Sequence, residues 1–151
     1  MFDSLNISSS ALTAGRLRMD VTSSNIANAS TTRGKLVNGV WEPYRRKMVV
    51  TEPRGKAFNE VLQGEFQKQT SSRTNLQGVR ITGIFDDQTP FKRVYDPTNP
   101  DANADGYVMM PNVDLSKEMI DMLAASRSYE ANVTAFNTGK SMMLKALELG
   151  R

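Results

Sequence analysis

The 151-residue chain contains no cysteine and no histidine. The first absence excludes disulfides, thiolate metal sites and cysteine nucleophiles. The second removes the commonest general base, most zinc sites and any Ser-His-Asp triad. Catalytic, cofactor-binding and metal-binding residues are therefore all expected to be none, and the chain is not expected to be an enzyme. No apolar run approaches 18 residues, so no transmembrane segment is expected. The N-terminal MFDSLNISSSALTAG has no basic stretch followed by an apolar one, so no cleavable secretory signal is expected. Aromatics are scarce, at 7%. Ile, Leu, Val and Phe supply 33 residues, about 22% of the chain and just above the roughly 20% below which disorder is favoured. A core is possible but small. The length suits one domain, or one with a modest appendage.

What charge there is divides by region. The net charge is +3. Residues 1–32 carry two basic and two acidic side chains, residues 33–93 twelve and six, and residues 94–151 five and eight. Opposite signs on the two later stretches suit neighbour-to-neighbour packing in an assembly. The densest basic cluster is Arg45, Arg46 and Lys47, flanked by Trp41 and Tyr44. Basic residues beside aromatics suit a nucleic-acid-binding module, which a salt titration would reveal. The favoured reading is instead the solvated face of a β-hairpin, so no nucleic acid is expected as a partner.

Both ends read as helices with one shared period. Leu5, Leu12, Met19 and Ile26 fall seven residues apart, and three residues after each comes a small one: Ser8, Gly15, Thr22, Ala29. A seven-residue repeat keeps one stripe of a helix facing a partner, and small residues admit a close backbone. No proline precedes residue 43. Gly15 costs about 1 kcal/mol against Ala in a helix interior, which points to close packing there. At the other end Leu115, Met122, Tyr129, Phe136 and Met143 again fall seven apart. A second row reads Met119, Ser126, Val133, Lys140 and Leu147. Asp114 is the expected N-cap and Gly150 the expected stop. Such helices would be roughly 40 Å and 50 Å long. Leu17, Val21, Met142 and Leu144 lie on the opposite faces and need partners too. Two readings follow: two helices packed against a sheet, or, preferred, a helical hairpin completed by copies of itself or relatives.

The middle holds most of the Gly and Pro, which no helix can run through. Strand-like stretches occur at Val40–Thr51 and Val79–Phe85, and residues 64–78 read as a polar loop. The fold class expected is mainly α with a β insertion, the two terminal helices pairing as a coiled-coil-like core around a small β-rich segment. Two tempting motifs fail. Asp101, Asn103, Asp105 and Gly106 copy half a calcium loop, but its twelfth position is Asn112 rather than Glu. Gly139-Lys140-Ser141 copies the end of a phosphate loop, but its first glycine would be Thr134, inside a helix.

The stretch Ser10 to Thr32, and above all Asn25-Ile26-Ala27-Asn28 followed by Thr31 and Thr32, resembles the N-terminal signature of bacterial flagellar rod, hook and hook-associated proteins. Gly106–Asp114, Arg127–Asn137, Met142–Gly150 and Pro43–Lys47 are similar to the FlgC family of proximal rod proteins. The resemblance implies a structural subunit of the basal-body rod, located there by the flagellar export apparatus. Its implied partners are other rod subunits, copies of itself and that apparatus. It implies residues 1–32 as an N-terminal axial helix, 33–111 as an irregular or β-rich insertion and 112–151 as a C-terminal axial helix. Assembly would run through Leu5, Leu12, Met19, Ile26, Leu115, Met122, Tyr129, Phe136 and Met143. A cytoplasmic helical adaptor is the remaining alternative. Because isolated stripes bury little, the ends of the free monomer are expected to be largely unstructured.

Overall fold

The N-terminal stretch tolerates its many hydroxyl residues because they return hydrogen bonds to their own helix. Ser10 Oγ donates to Ile7 O, Thr13 Oγ1 to Ser9 O and Thr22 Oγ1 to Arg18 O. In the computed structural model, which describes residues 2–54 and 78–150, this stretch is one helix, α1 (Phe2–Ala27). The C-terminal stretch is α2 (Leu115–Leu149), 35 residues or about 52 Å at the standard rise. Asp114 caps it, accepting from Ser116 N at 3.1 Å and Lys117 N at 3.4 Å. Gly150 ends it at φ −89°, without the left-handed turn a C′ glycine usually supplies. Residues 139–141 lie inside α2, as their rejection as a phosphate loop requires.

Between the helices run three antiparallel two-stranded ribbons. The first pairs β1 (Lys35–Val37) with β2 (Val40–Glu42) around Asn38 and Gly39, both at positive φ, which is the tight hairpin turn. The second pairs β3 (Lys47–Pro53) with β4 (Val79–Asp86), with an irregularity at Val50/Thr51. The third pairs β5 (Lys92–Tyr95) with β6 (Tyr107–Met110), closed by an edge-on Tyr95–Tyr107 contact at 5.3 Å. The stretch expected as one strand over Val40–Thr51 is broken at Pro43, whose imide lacks the ladder donor, so β2 and β3 belong to different ribbons. The polar loop expected over 64–78 lies, except for Gly78, outside the described residues.

The helices run antiparallel. Leu5 meets Gly139, Gly15 meets Tyr129 and Asn25 bonds Glu118, so a step toward the end of α1 matches a step toward the start of α2. On its other side α1 carries the β3–β4 ribbon. Val79 N donates to Ser10 Oγ at 3.1 Å, and a Cβ on Gly78 would collide with that hydroxyl. Among the described residues α1 is thus covered on two sides and α2 on one. Both expected arrangements are present in part: a helical hairpin, and a β layer against one of its helices.

The core is small. Among the described residues the buried apolar side chains are Ala14, Val21, Val108, Val113 and Ala125. The accessible surface is 11560 Å² for 16.8 kDa, against roughly 7,700 Å² for a compact monomer of that mass.

Gly15 is looser than its place in the seam suggests. A Cβ there would lie 3.6 Å from Tyr129 Cδ2, an ordinary contact. Gly15→Ala should therefore gain helix propensity without a clash and raise stability by about 0.5–1 kcal/mol. A urea midpoint that rises checks it. Gly139, whose Cβ would sit 3.1 Å from Leu5 Cδ2, should gain less or lose.

Candidate functional site

The four-residue signature at the end of α1 is spent on structure. Asn28 Nδ2 donates to Ser24 O, satisfying a carbonyl at the helix end, and its Oδ1 accepts from Thr31 Oγ1. Thr32 Oγ1 and Arg33 Nε both donate to Asp101, strapping the exit of α1 to the loop after β5. That pairing, Arg33 first, holds the Asp101 carboxyl below the usual carboxylate range. The half calcium loop thus binds an arginine and a threonine of its own chain.

Asn25 is 1% exposed and uses its whole side chain. Its Oδ1 accepts from Lys47 N at 2.9 Å and from Tyr44 OH at 3.0 Å. Its Nδ2 donates to Lys47 O at 2.9 Å and to Glu118 Oε2 at 3.0 Å. It pairs with the first residue of β3 as a neighbouring strand would, and it also reaches the first turn of α2. Asn112, just before α2, holds the amide one residue earlier. Its Oδ1 accepts from Arg46 N at 2.8 Å, and its Nδ2 donates to Thr89 Oγ1 at 2.9 Å. Two asparagines flanking the helix pair therefore clamp the consecutive backbone amides of residues 46 and 47.

From that clamp the Arg46 side chain enters between the helices. Its Nε lies 2.6 Å from Glu118 Oε1, and its other nitrogens lie 3.5 Å from Asp87 and 3.6 Å from Asp121. Burial opposes the charge on Arg46, but hydrogen bonding and attraction from Glu118 and then Asp87 outweigh it and raise its pKa. Asp87 is held below the ordinary aspartate value of 3.8, first by the Thr89 amide and hydroxyl and then by Arg46. Among the described residues no buried side-chain polar atom lacks a partner. The basic cluster expected as a solvated hairpin face is corrected in part: Arg46 is sequestered and Arg45 stacks 4.6 Å over Phe91, whereas Lys47 stays exposed, 5.9 Å from the Tyr44 ring.

The second feature is the uncovered apolar surface at the two ends of α2. Leu115, Met119, Ile120 and Leu123 are exposed near its start, and Met142, Leu144, Leu147 and Leu149 near its end. Ile120 is 68% and Leu147 70% exposed. Of the opposite-face residues singled out from sequence, Val21 is buried and Leu17 half-buried, whereas Met142 and Leu144 stay open. Leu5, Leu12, Met19 and Ile26 are half-buried, as are Met122, Tyr129, Phe136 and Met143, while Leu115 is exposed. The residues α2 buries are Glu118, Ala125 and Gly139, again on a seven-residue spacing. Hydrophobicity does not flag that row. Glu118 and Arg46 were missed because their partners lie 93 and 72 residues away.

Stability from Asp87 has a definite pH sense. Its carboxyl is depressed in the fold, so its contribution is complete above the unfolded value of 3.8 and lost as pH falls through the lower folded value. Urea midpoints should drop between pH 6 and pH 3, and Asp87→Asn should drop less over that interval while being weaker at pH 6. Equal falls in both chains would remove Asp87 from the acid response.

Comparison with known proteins agrees with this architecture. The family described as "Flagella basal body rod protein" matches residues 5–34, and "Flagellar basal body rod FlgEFG protein C-terminal" matches residues 104–149. The flagellar basal-body rod protein FlgC of Bacillus subtilis is 55% identical over 150 residues, 99% of this chain and 98% of that protein. Those of Borreliella burgdorferi and Escherichia coli O6:H1 are each 44% identical, covering 99% and 97% of this chain and 97% and 95% of their own. With both helical ends matched to rod families and full-length relatives at this identity, the chain belongs to the FlgC family of flagellar basal-body rod proteins.

Proposed function

We propose that this chain is a structural subunit of the flagellar basal-body rod that polymerises through its terminal helices and carries torque between neighbours. The observation that supports the reading most is the one-sided cover of α2. This 35-residue helix leaves two apolar patches exposed, Leu115, Met119, Ile120 and Leu123 near its start and Met142, Leu144, Leu147 and Leu149 near its end, and exposed patches of this kind mark interaction surfaces. Neighbouring rod subunits, copies of this chain among them, cover those patches. Contacts between unlike faces build open helical assemblies rather than closed dimers, as a rod requires. The coiled-coil-like axial core is then α1 and α2 of one chain joined by helices of the next.

Within this reading the residues first nominated divide into two groups. Leu5, Leu12, Met19, Ile26, Met122, Tyr129, Phe136 and Met143 hold the helix pair together. Leu115 belongs with Met119, Ile120 and Leu123 on the face turned to neighbours. The export apparatus is an expected partner because the rod lies beyond the cytoplasm, and nucleic acid is not, since Arg45 and Arg46 of the basic cluster are engaged within the chain.

A charge at Met122 injures fold and assembly together, because that residue is half-buried. Ile120 separates them. Ile120→Asp should leave the circular dichroism spectrum and urea midpoint within about 0.5 kcal/mol of the parent chain, as surface substitutions do. Cells carrying it should fail to assemble rods and fail to swim. Normal motility in that strain would sink the assembly face.

A further inference from the structure

The seven-residue pattern that pairs α1 with α2 does not choose its own register. In the observed pairing Leu5 sits on Gly139 and Tyr129 on Gly15, large on small in both directions. Moving α2 by one repeat preserves this. One direction sets Leu12 on Gly139, Ile26 on Ala125 and Tyr129 on Thr22; the other sets Leu12 on Ala125 and Tyr129 on Ser8. Each alternative places a large side chain over a small one at nearly every level, so shape and apolar area discriminate poorly. The polar cluster does discriminate. In one slipped register Glu118 passes beyond the end of α1, and in the other Arg18 takes the place of Asn25 beside it; in both, Glu118 moves about 10 Å along the helix away from the clamped Arg46. Separating the partners of a buried ion pair is strongly destabilising, because each is left as an uncompensated buried charge.

We propose that Asn25, Arg46 and Glu118 act as a register key, selecting one of several heptad-equivalent pairings of the two helices. Asn25 alone would not suffice, since its amide is satisfied largely by Lys47. Arg46 makes the choice, because the clamp of Asn25 and Asn112 on residues 46 and 47 fixes where its guanidinium enters the helix pair. Glu118 must then stand at that level. Buried polar groups that set register while apolar residues supply the area are a known division of labour between paired helices. Register has a consequence for assembly that rests on the function proposed above. A one-repeat slip moves α2 about 10 Å along α1. It would carry the Leu115–Leu123 patch and the C-terminal overhang to the wrong axial level for a neighbour.

The chain has no cysteine, so a spin-label pair is clean. Asp20 and Thr134 are both exposed and lie at different levels on the two helices. The full-length Asp20→Cys/Thr134→Cys chain, labelled at both sites, should give one inter-label distance by pulsed electron resonance. Adding Arg46→Met with Glu118→Leu keeps the volume apolar and removes the key. It should retain the helical circular dichroism signal and show a second distance displaced by several ångströms. Glu118→Gln, the milder variant, should show the same second distance in a smaller fraction. A single unchanged distance in the folded variants overturns the proposal, and so does the absence of a defined distance in the parent pair. If both variants lose their helices, the cluster serves stability rather than register and the proposal falls. Ile120→Asp lies outside the cluster, so its outcome reports on the assembly face independently.

Discussion

A carboxylate buried between two helices governs this molecule. Glu118, Asn25, Val108 and Pro111 are the largest side chains that are fully enclosed, and two of the four are polar. A core whose most enclosed groups are a glutamate and an asparagine is not held mainly by apolar volume. Glu118 is tolerable because Arg46 and Asn25 reach it directly, and Arg46 is tolerable because Asp87 and Asp121 share its charge. Replacing such a network with apolar residues is often neutral or stabilising, whereas cutting one member is severe. Its presence therefore points to specificity of pairing more than to strength. It joins the end of α1, the start of β3, the turn after β4 and the start of α2, all the parts whose relative placement defines the subunit.

The same economy explains why the rest of the chain looks unfinished. The buried apolar residues are small, and the large ones stand half-covered or open. Once α1 is enclosed between α2 and the β3–β4 ribbon, no described element remains to cover the far side of α2. Hydroxyl side chains on α2 bond back to their own helix, such as Thr134 to Glu130 O and Thr138 to Thr134 O. On the function proposed above, the apolar residues between them would find the missing cover in the assembled rod.

The helices were legible because a seven-residue repeat without proline is a local signal. Asp114 as N-cap was legible for the same reason. The phase of α2 was harder. Reading large residues as the buried row selects Leu115, Met122, Tyr129, Phe136 and Met143, but the enclosed row is Glu118, Ala125 and Gly139. Where two helices come close, small residues such as Ala125 and Gly139 are fully enclosed, while the large stripe beside them, Met122, Tyr129, Phe136 and Met143, is half-covered. Arg46 was read as a solvated cation because its neighbours in sequence are basic and aromatic; its true neighbours, Glu118 and Asp121, come from a helix some 70 residues on. The Asn25–Asn28 signature was recognised as a family mark, yet its chemistry showed only when Lys47, Glu118 and Ser24 were brought to it.

These two scales of information divide the work of building a rod. Local periodicity makes helices with broad, repetitive, interchangeable faces, which is what a polymer of related subunits needs, since each face must accept a similar helix next door. Interchangeability is also a hazard, because a repetitive face pairs with its own chain in several offsets. Long-range polar contacts remove that degeneracy inside the subunit, where they are enclosed, and leave it available outside, where Leu115, Met119, Ile120 and Leu123 carry no comparable key. A subunit rigid in its own register and permissive at its outer face can occupy an assembly in which its neighbours are not all identical. On the two readings proposed above, the geometry of the rod would follow from the fixed internal offset of each chain rather than from specificity at every contact between chains.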